Sequence, residues 1–126
     1  MFGLFKRKTE VRRDGRRSVK LMWDYGCWPL WQDDGQIFDN IDPASLPLSA
    51  ATLARLQSWS AIPDAKLAEV EYPPDMKWSA EEKRAFEAEG RELWRTIRQE
   101  LGESFYVTYH NCLAGPICAP DDDVVA

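Results

Sequence analysis

One histidine and three cysteines are the side chains of this sequence best suited to nucleophilic or metal chemistry. His110 and Cys112 stand two positions apart in a strand-like segment, so both would point to one face, as a Cys–His nucleophilic pair requires. Together with Cys27 and Cys118 they could also supply four zinc ligands. Their spacing is not that of the tight cysteine pairs of structural zinc sites, and no third residue stands out as an orienting group. The sequence therefore predicts no catalytic residue, no metal and no cofactor.

Carboxylates and aromatic side chains are concentrated in one stretch of the chain. Adjacent aspartates can act as acid and base, but in a turn-rich segment they more often form turns and keep the surface soluble. Trp28 and Trp31 either join the core or present an aromatic surface surrounded by carboxylates, which would suit a basic partner. On the second alternative, the candidate partner-binding residues are Tyr25, Trp28, Trp31, Asp33, Asp34, Asp39 and Asp42.

The net charge of -5 hides an uneven distribution. The first 20 residues hold eight basic side chains against Glu10 and Asp14, whereas the remainder holds eight basic and 19 acidic ones. An acidic body repels nucleic acid and attracts cationic partners at long range. We expect residues 1–17 to form a basic arm, residues 18–120 one globular domain, and residues 121–126 an acidic tail.

The composition and length favour a small cytoplasmic protein. A chain of 126 residues with 44% hydrophobic residues suits one domain. It has no apolar run of the roughly 18 residues that a membrane-spanning helix needs. The apolar residues at its start precede the basic ones and are too few for a secretory signal peptide. An odd number of cysteines also favours the cytoplasm over an oxidising compartment.

The first half of the chain predicts one strand, a long loop and one helix. Alternation of Val19, Leu21 and Trp23 with polar residues is typical of a half-buried strand over residues 18–24. Residues 25–47 are rich in glycine, proline and aspartate, which favours a loop. Ser49 is a helix cap, and Pro63 is expected to stop the helix that follows it after about 12 residues.

The second half predicts a long helix and a strand. Ser79 and Glu82 form a capping box, and apolar residues then recur on one helical face up to Gly102. Residues 105–110 alternate aromatic and β-branched side chains, as in a strand, and a short final strand can follow. We predict an α+β sandwich, with a sheet of two to four strands packed against two helices in the order β-α-α-β(-β).

Several segments of the chain resemble a family of small bacterial proteins over residues 19 to about 110. They are Leu21-Met22-Trp23-Asp24-Tyr25-Gly26-Cys27-Trp28-Pro29-Leu30-Trp31, Ile41-Asp42-Pro43, Leu46-Pro47-Leu48-Ser49, Leu56-Gln57-Ser58-Trp59, Glu89-Gly90-Arg91-Glu92-Leu93 and Glu100-Leu101-Gly102. The chain is similar to immunity proteins of contact-dependent growth inhibition systems, which are cytoplasmic partners that bind and block one cognate toxin domain. The resemblance carries no catalytic residue.

The resemblance implies a non-enzymatic inhibitor whose partner is a toxin domain, frequently a cationic nuclease. We expect the acidic body to occlude the active site of the toxin, with no small-molecule substrate, no nucleic acid bound by the folded body and no stable membrane insertion. The alternative hypothesis is a cytoplasmic binding or regulatory module whose basic arm contacts a membrane or nucleic acid.

Overall fold

The fold consists of five strands and two long helices in the part of the chain that the structure describes. This computed structural model describes residues 14–33, 38–111, 113 and 117–120. Neither long helix carries an apolar stretch that could cross a membrane within those residues. The elements are β1 (Arg17–Leu21), β2 (Leu30–Asp33), β3 (Phe38–Ile41), α1 (Ala50–Ala68), α2 (Ala80–Leu101), β4 (Phe105–His110) and β5 (Ile117–Cys118).

The strands form one mixed sheet in the order β3-β2-β1-β4-β5. The two central strands, β1 and β4, run parallel, and every other neighbouring pair is antiparallel. Four strands have four to six residues, and the fifth, at one edge, has only two. The predicted α+β class and the strand–helix–helix–strand order are confirmed.

Both helices pack on one face of the sheet. Val19 and Leu21 of β1 are level with Val107 and Tyr109 of β4, and all four side chains are buried. They form one core with residues of both helices, among them Leu56, Trp59, Leu93, Trp94 and Ile97. The predicted strand β1 is therefore correct, but it ends at Leu21, and Trp23 lies beyond it, half-buried and donating its indole N–H to Asp64.

The helix α2 forms as its sequence pattern predicts. Ser79 accepts a hydrogen bond from the N–H of Glu82, whose carboxylate in turn accepts one from the Ser79 N–H. The apolar face is buried, and Gly102 ends the helix with a φ of 78°. Gly90 lies where α2 crosses the core, since a Cβ there would come 2.7 Å from the Tyr109 ring. The absence of a side chain at this position lets α2 approach β4 closely.

The prediction that residues 25–47 are all loop is wrong. The segment contains the hairpin of β2 and β3, in which Leu30 pairs with Ile41 and Asp33 with Phe38. Each strand has only four residues, so its alternation is too short to stand out from the surrounding turn-forming residues. Pairing to β1 along Val19–Leu21 makes β2 the third inner strand and places β3 at the edge.

The prediction that Pro63 stops the first helix is also wrong. The helix α1 runs through Pro63 to Ala68. Proline has no N–H to donate to the carbonyl of Trp59, one turn earlier, so the helix loses one hydrogen bond there. The Pro63 ring is fully buried on the same face as Leu56 and Trp59. Burial of this apolar ring offsets the lost bond, and the helix continues.

A carboxylate of α2 fixes the start of α1. Glu100 accepts hydrogen bonds from the Ser49 N–H at 2.7 Å and from the Thr52 hydroxyl at 2.7 Å. Burial opposes the ionisation of Glu100, but these bonds outweigh it, so the pKa of Glu100 lies below its ordinary value. The ionised carboxylate also lies at the positive end of the α1 dipole. The first turns of α1 are thus held in place against the rest of the domain.

Candidate functional site

A groove opens at the end of the sheet where β1 and β3 finish and β2 begins. It has a volume of about 290 Å³ and lies between the turn that joins β1 to β2, the segment after β3, and α1. We call it the Trp28 groove. It is lined by residues 27–29, residues 42–44, Leu53, Leu56, Gln57 and Ser60. Two of the predicted partner-binding residues, Trp28 and Asp42, therefore line one cavity although they are 14 positions apart in the chain.

The backbone of Trp28 is held by one side chain of β3. The Trp28 N–H donates to the Asn40 amide oxygen at 3.0 Å, and the Asn40 amide NH₂ donates to the Trp28 carbonyl at 2.8 Å and the Leu30 carbonyl at 3.0 Å. The Trp28 side chain is nevertheless 49% exposed. An aromatic ring on a fixed backbone with half of its surface in water is already placed for a contact.

Asp42 and the β1–β2 turn have similarly defined positions. One Asp42 carboxylate oxygen accepts the Ala44 N–H at 2.9 Å and caps the short 3-10 helix Pro43–Ser45. In the turn, the Asp24 carboxylate accepts the Tyr25 N–H at 2.8 Å, and Gly26 has a φ of 73°, a conformation that favours glycine. Tyr25 is 55% exposed at the tip of this turn.

The segment of chain that forms most of the groove carries negative charge and no basic residue. There is no lysine or arginine between Lys20 and Arg55, whereas five aspartates lie in that interval. The two flanking basic residues are themselves in ion pairs, Lys20 with Asp33 at 2.7 Å and Arg55 with Glu89 at 3.0 Å. We call the surface formed by Asp24, Tyr25, Trp28 and Asp42 the acidic end.

The other predicted partner-binding residues lie away from the groove. Asp33 is at the far end of the hairpin, roughly 10 Å along β2 from Leu30 at about 3.3 Å per residue. Asp39 is exposed on the edge strand β3. Asp34 lies outside the described residues. Trp31 is only 8% exposed, stacks on Phe38 at 4.7 Å and donates its indole N–H to the Met22 carbonyl, so it offers little surface to a partner.

The histidine and cysteines considered for nucleophilic or metal chemistry do not form a metal-binding cluster among the described residues. His110 ends β4, half-buried, and burial together with the charge of Lys20 lowers the pKa of its imidazole. Cys118 is buried on β5, Cys27 lines the Trp28 groove, and Cys112 lies outside the described residues. Within those residues no three His, Cys, Asp or Glu side chains come together as a metal site would need.

Comparison with known proteins identifies the family. Residues 17–112 match the family described as Serratia CdiI immunity protein-like. The chain belongs to this family. The resemblance seen in the sequence is thereby confirmed, and membership makes the chain an immunity protein to a toxin of contact-dependent growth inhibition, with that toxin as its partner. No curated protein matches the chain.

The Trp28 groove of this CdiI-like protein lies wholly within the matched residues. Sequence analysis missed its α1 wall, formed by Leu53, Leu56, Gln57 and Ser60. Leu53 and Leu56 were recognisable as part of an apolar helical stripe, but no local pattern distinguishes a stripe that lines a groove from one that enters the core. Asp24 was missed as well, because it stood at the end of the predicted strand.

A second cavity, of about 520 Å³, lies at the opposite end of the sheet, where β1 and β4 begin. Arg16, Arg95 and Arg98 line it, together with Phe105. Arg16 pairs with Asp14 at 2.7 Å and Arg95 with Glu92 at 2.8 Å, so part of this positive charge is balanced locally. The described domain of this CdiI-like protein is therefore negative at one end of its sheet and rich in arginine at the other.

Proposed function

We propose that this immunity protein acts in the cytoplasm as a non-catalytic blocker of a cationic nuclease toxin. In this proposal its acidic end covers the active site of the toxin and keeps the substrate out. The residues that make contact are Tyr25, Trp28 and Asp42, with Asp24 at the rim. Trp31 supports Phe38 from within the sheet, and Asp33, Asp34 and Asp39 contribute to long-range attraction only.

The observation that carries this proposal is the acidic end itself. A nuclease active site must attract a polyanion, so its surface is positive, and a blocker of that surface gains from negative charge placed opposite it. The long interval without lysine or arginine keeps repulsive groups away from the same region. Like charges facing each other across an interface would cost several kcal/mol.

The exposed aromatic side chains support the same surface as the contact region. Tyrosine and tryptophan are enriched among the residues that contribute most to binding energy in protein interfaces. Tyr25 and Trp28 are both exposed in the β1–β2 turn, and the Trp28 backbone is fixed by Asn40. A fixed aromatic side chain loses less conformational entropy on binding than a mobile one.

A kinetic and competition experiment tests the proposal. The toxin domain encoded beside this chain is purified with it, and nuclease activity is measured with and without the immunity protein. We expect inhibition at one-to-one stoichiometry, and a short inactive nucleic acid substrate should compete with the immunity protein for the toxin. A ternary complex of toxin, nucleic acid and immunity protein would contradict occlusion.

The electrostatic part is tested separately with charge-neutral variants. Asp24→Asn should slow association with the toxin and weaken its dependence on salt, with a smaller effect on dissociation, because rim charges act mainly on encounter. Asp75→Asn removes the same charge from the connection between the helices and is the matched control. Equal effects of Asp24→Asn and Asp75→Asn would reject a specific role for the acidic end.

A second candidate function has one observation in its favour. The arginine-lined cavity adjoins the start of β1, where the basic residues of the first 17 positions join the domain. This arrangement would suit a module that contacts the phosphates of nucleic acid or of an anionic membrane. A variant lacking residues 1–13 decides between the two functions: a body that blocks the toxin should still protect cells, whereas a module acting through its arm should fail.

A further inference from the structure

The Trp28 groove has the dimensions of a site for one side chain. Its volume of about 290 Å³ lies at the lower limit of pockets that hold whole small-molecule ligands, which measure roughly 300–1,000 Å³. It is lined by the half-exposed Trp28 and by residues of α1. A protruding side chain of a partner protein is therefore a suitable occupant.

The walls of the groove combine an apolar surface with a single charge. Pro29, Pro43, Leu53 and Leu56 supply apolar surface, and Asp42 is the one charged residue among the described residues that line it. One oxygen of the Asp42 carboxylate accepts the Ala44 N–H, and the other makes no hydrogen bond within the described part of the chain. An occupant with an apolar stem and a positive tip matches these walls.

The Trp28 indole favours arginine over lysine as the occupant of the groove. A guanidinium group is planar, so it can lie on an indole face while its N–H groups donate to a carboxylate. A lysine ammonium group is compact and more strongly hydrated and gains less from such a surface. Trp28 and Asp42 line the same groove and offer both kinds of contact.

We propose that the Trp28 groove receives one arginine side chain of the toxin, with its stem against Leu53 and Leu56 and its guanidinium between Trp28 and Asp42. The inference rests on the proposed function, because it names the group of the toxin that the acidic end recognises. The groove needs no rearrangement for this purpose, since Asn40 already fixes the Trp28 backbone and the 3-10 helix cap fixes Asp42.

The groove can be tested without the toxin. The probe is the peptide acetyl-Gly-Arg-Gly-amide, titrated into the full chain and followed by NMR at the Trp28 indole N–H and the Ala44 amide. We expect saturable shifts at both groups with a Kd of about 1–10 mM. Two control peptides replace arginine with citrulline, which has the same shape without the charge, or with lysine. Each should bind at least about fivefold more weakly than the arginine peptide.

Substitutions in the groove complete this test. Asp42→Asn should lower the affinity for the arginine peptide by about fivefold or more. The 3-10 helix that follows position 42 should stay folded, since asparagine caps a helix as well as aspartate does. Asp75→Asn should leave binding unchanged. Equal binding of the arginine and citrulline peptides, or no saturable shift at the groove up to about 30 mM, would overturn the inference.

A second experiment uses the toxin complex. Each arginine of the toxin domain is replaced by glutamine, and affinities for the wild-type chain and for Asp42→Asn are compared in double-mutant cycles. One toxin arginine should couple to Asp42, so that the two substitutions together cost less than the product of their separate fold-changes. If the toxin binds and no arginine couples, the inference fails and the proposed function stands. If the toxin is not bound at all, the function fails, and the peptide titration still decides the groove.

Discussion

Replacement of Trp28 by alanine tests the acidic end through its largest exposed side chain. The side chain is 49% exposed in the free protein. A buried tryptophan removes up to roughly 250 Å² from water, so full burial against the toxin would remove roughly 120 Å² more. At roughly 25 cal/mol per Å² this corresponds to about 3 kcal/mol, or a loss of about 100-fold in affinity for Trp28→Ala.

The variant should fold normally, because Asn40 bonds to the backbone of position 28 and not to the indole. Binding is measured by titration calorimetry with the purified toxin domain, and folding by circular dichroism and thermal unfolding. Tyr72→Ala is the control: Tyr72 is 61% exposed and lies between the helices, outside the groove, so we expect a change of less than about twofold.

Two results would contradict burial of Trp28 against the toxin. A folded Trp28→Ala variant that loses less than about fivefold in affinity would show that the indole remains in water in the complex. A similar loss for Tyr72→Ala would place the interface on the connection between the helices. Either outcome would remove Trp28 from the contact region.

Three further predictions concern the framework of the site. Gly90→Ala should lower the free energy of unfolding by about 1–2 kcal/mol in urea titrations, because the clash with the Tyr109 ring outweighs a gain of about 1 kcal/mol in helix propensity; a stabilised variant would contradict this packing. Glu100→Gln should cost about 1–3 kcal/mol, since it weakens charge-assisted bonds to Ser49. The pKa of Glu100 is lowered in the folded protein, so its contribution to the free energy of unfolding should be complete above the ordinary carboxyl pKa and decline as pH falls through the folded value. The stabilities of the wild type and Glu100→Gln should therefore converge in acid. A difference that stays constant with pH would refute this role of Glu100. Asn40→Ala should weaken toxin binding in titration calorimetry, because Trp28 loses the bonds that fix its backbone, and should shift the midpoint of thermal unfolding by only a few degrees. Undiminished affinity would show that toxin binding does not depend on these bonds.

The parts of the fold predicted correctly are those with long local patterns. The helix α2 has a capping box, an apolar face that recurs from Phe86 to Leu101 and a terminal glycine, and all three act within the helix itself. The strand β4 likewise has six residues of clear alternation. In these segments local preference and tertiary packing favour the same structure, so the sequence alone suffices.

The errors arose where tertiary packing overrides a local preference. Pro63 is a helix breaker in isolation, yet its ring is buried in the core face of α1. The strand β3 contains the turn-forming residues Asp39 and Asn40, yet pairing with β2 makes this segment a strand. The same hairpin separates the acidic residues that sequence analysis had grouped, because it carries Asp33 to one end of the sheet and Asp42 to the other.

The candidate site was foreseen in its residue types and missed in its geometry. Trp28 and Asp42 were named from composition, and their placement on one groove depends on the hairpin and on α1. Trp31 is three positions from the exposed Trp28, but it is buried in β2, where its ring stacks on that of Phe38. Alternation along β2 would have predicted this difference had the strand been recognised.

The parallel pairing of β1 with β4 also determines when this protein can begin to act during its synthesis. Arg17 pairs with Phe105, so almost the whole domain separates the two middle strands in the chain. Contacts this distant in sequence close late, and such topologies fold slowly. A ribosome adds about 5–20 residues per second, and a nascent chain that has not yet emerged past β4 lacks the centre of its sheet. A newly synthesised copy can therefore block a toxin only after β4 has left the ribosome.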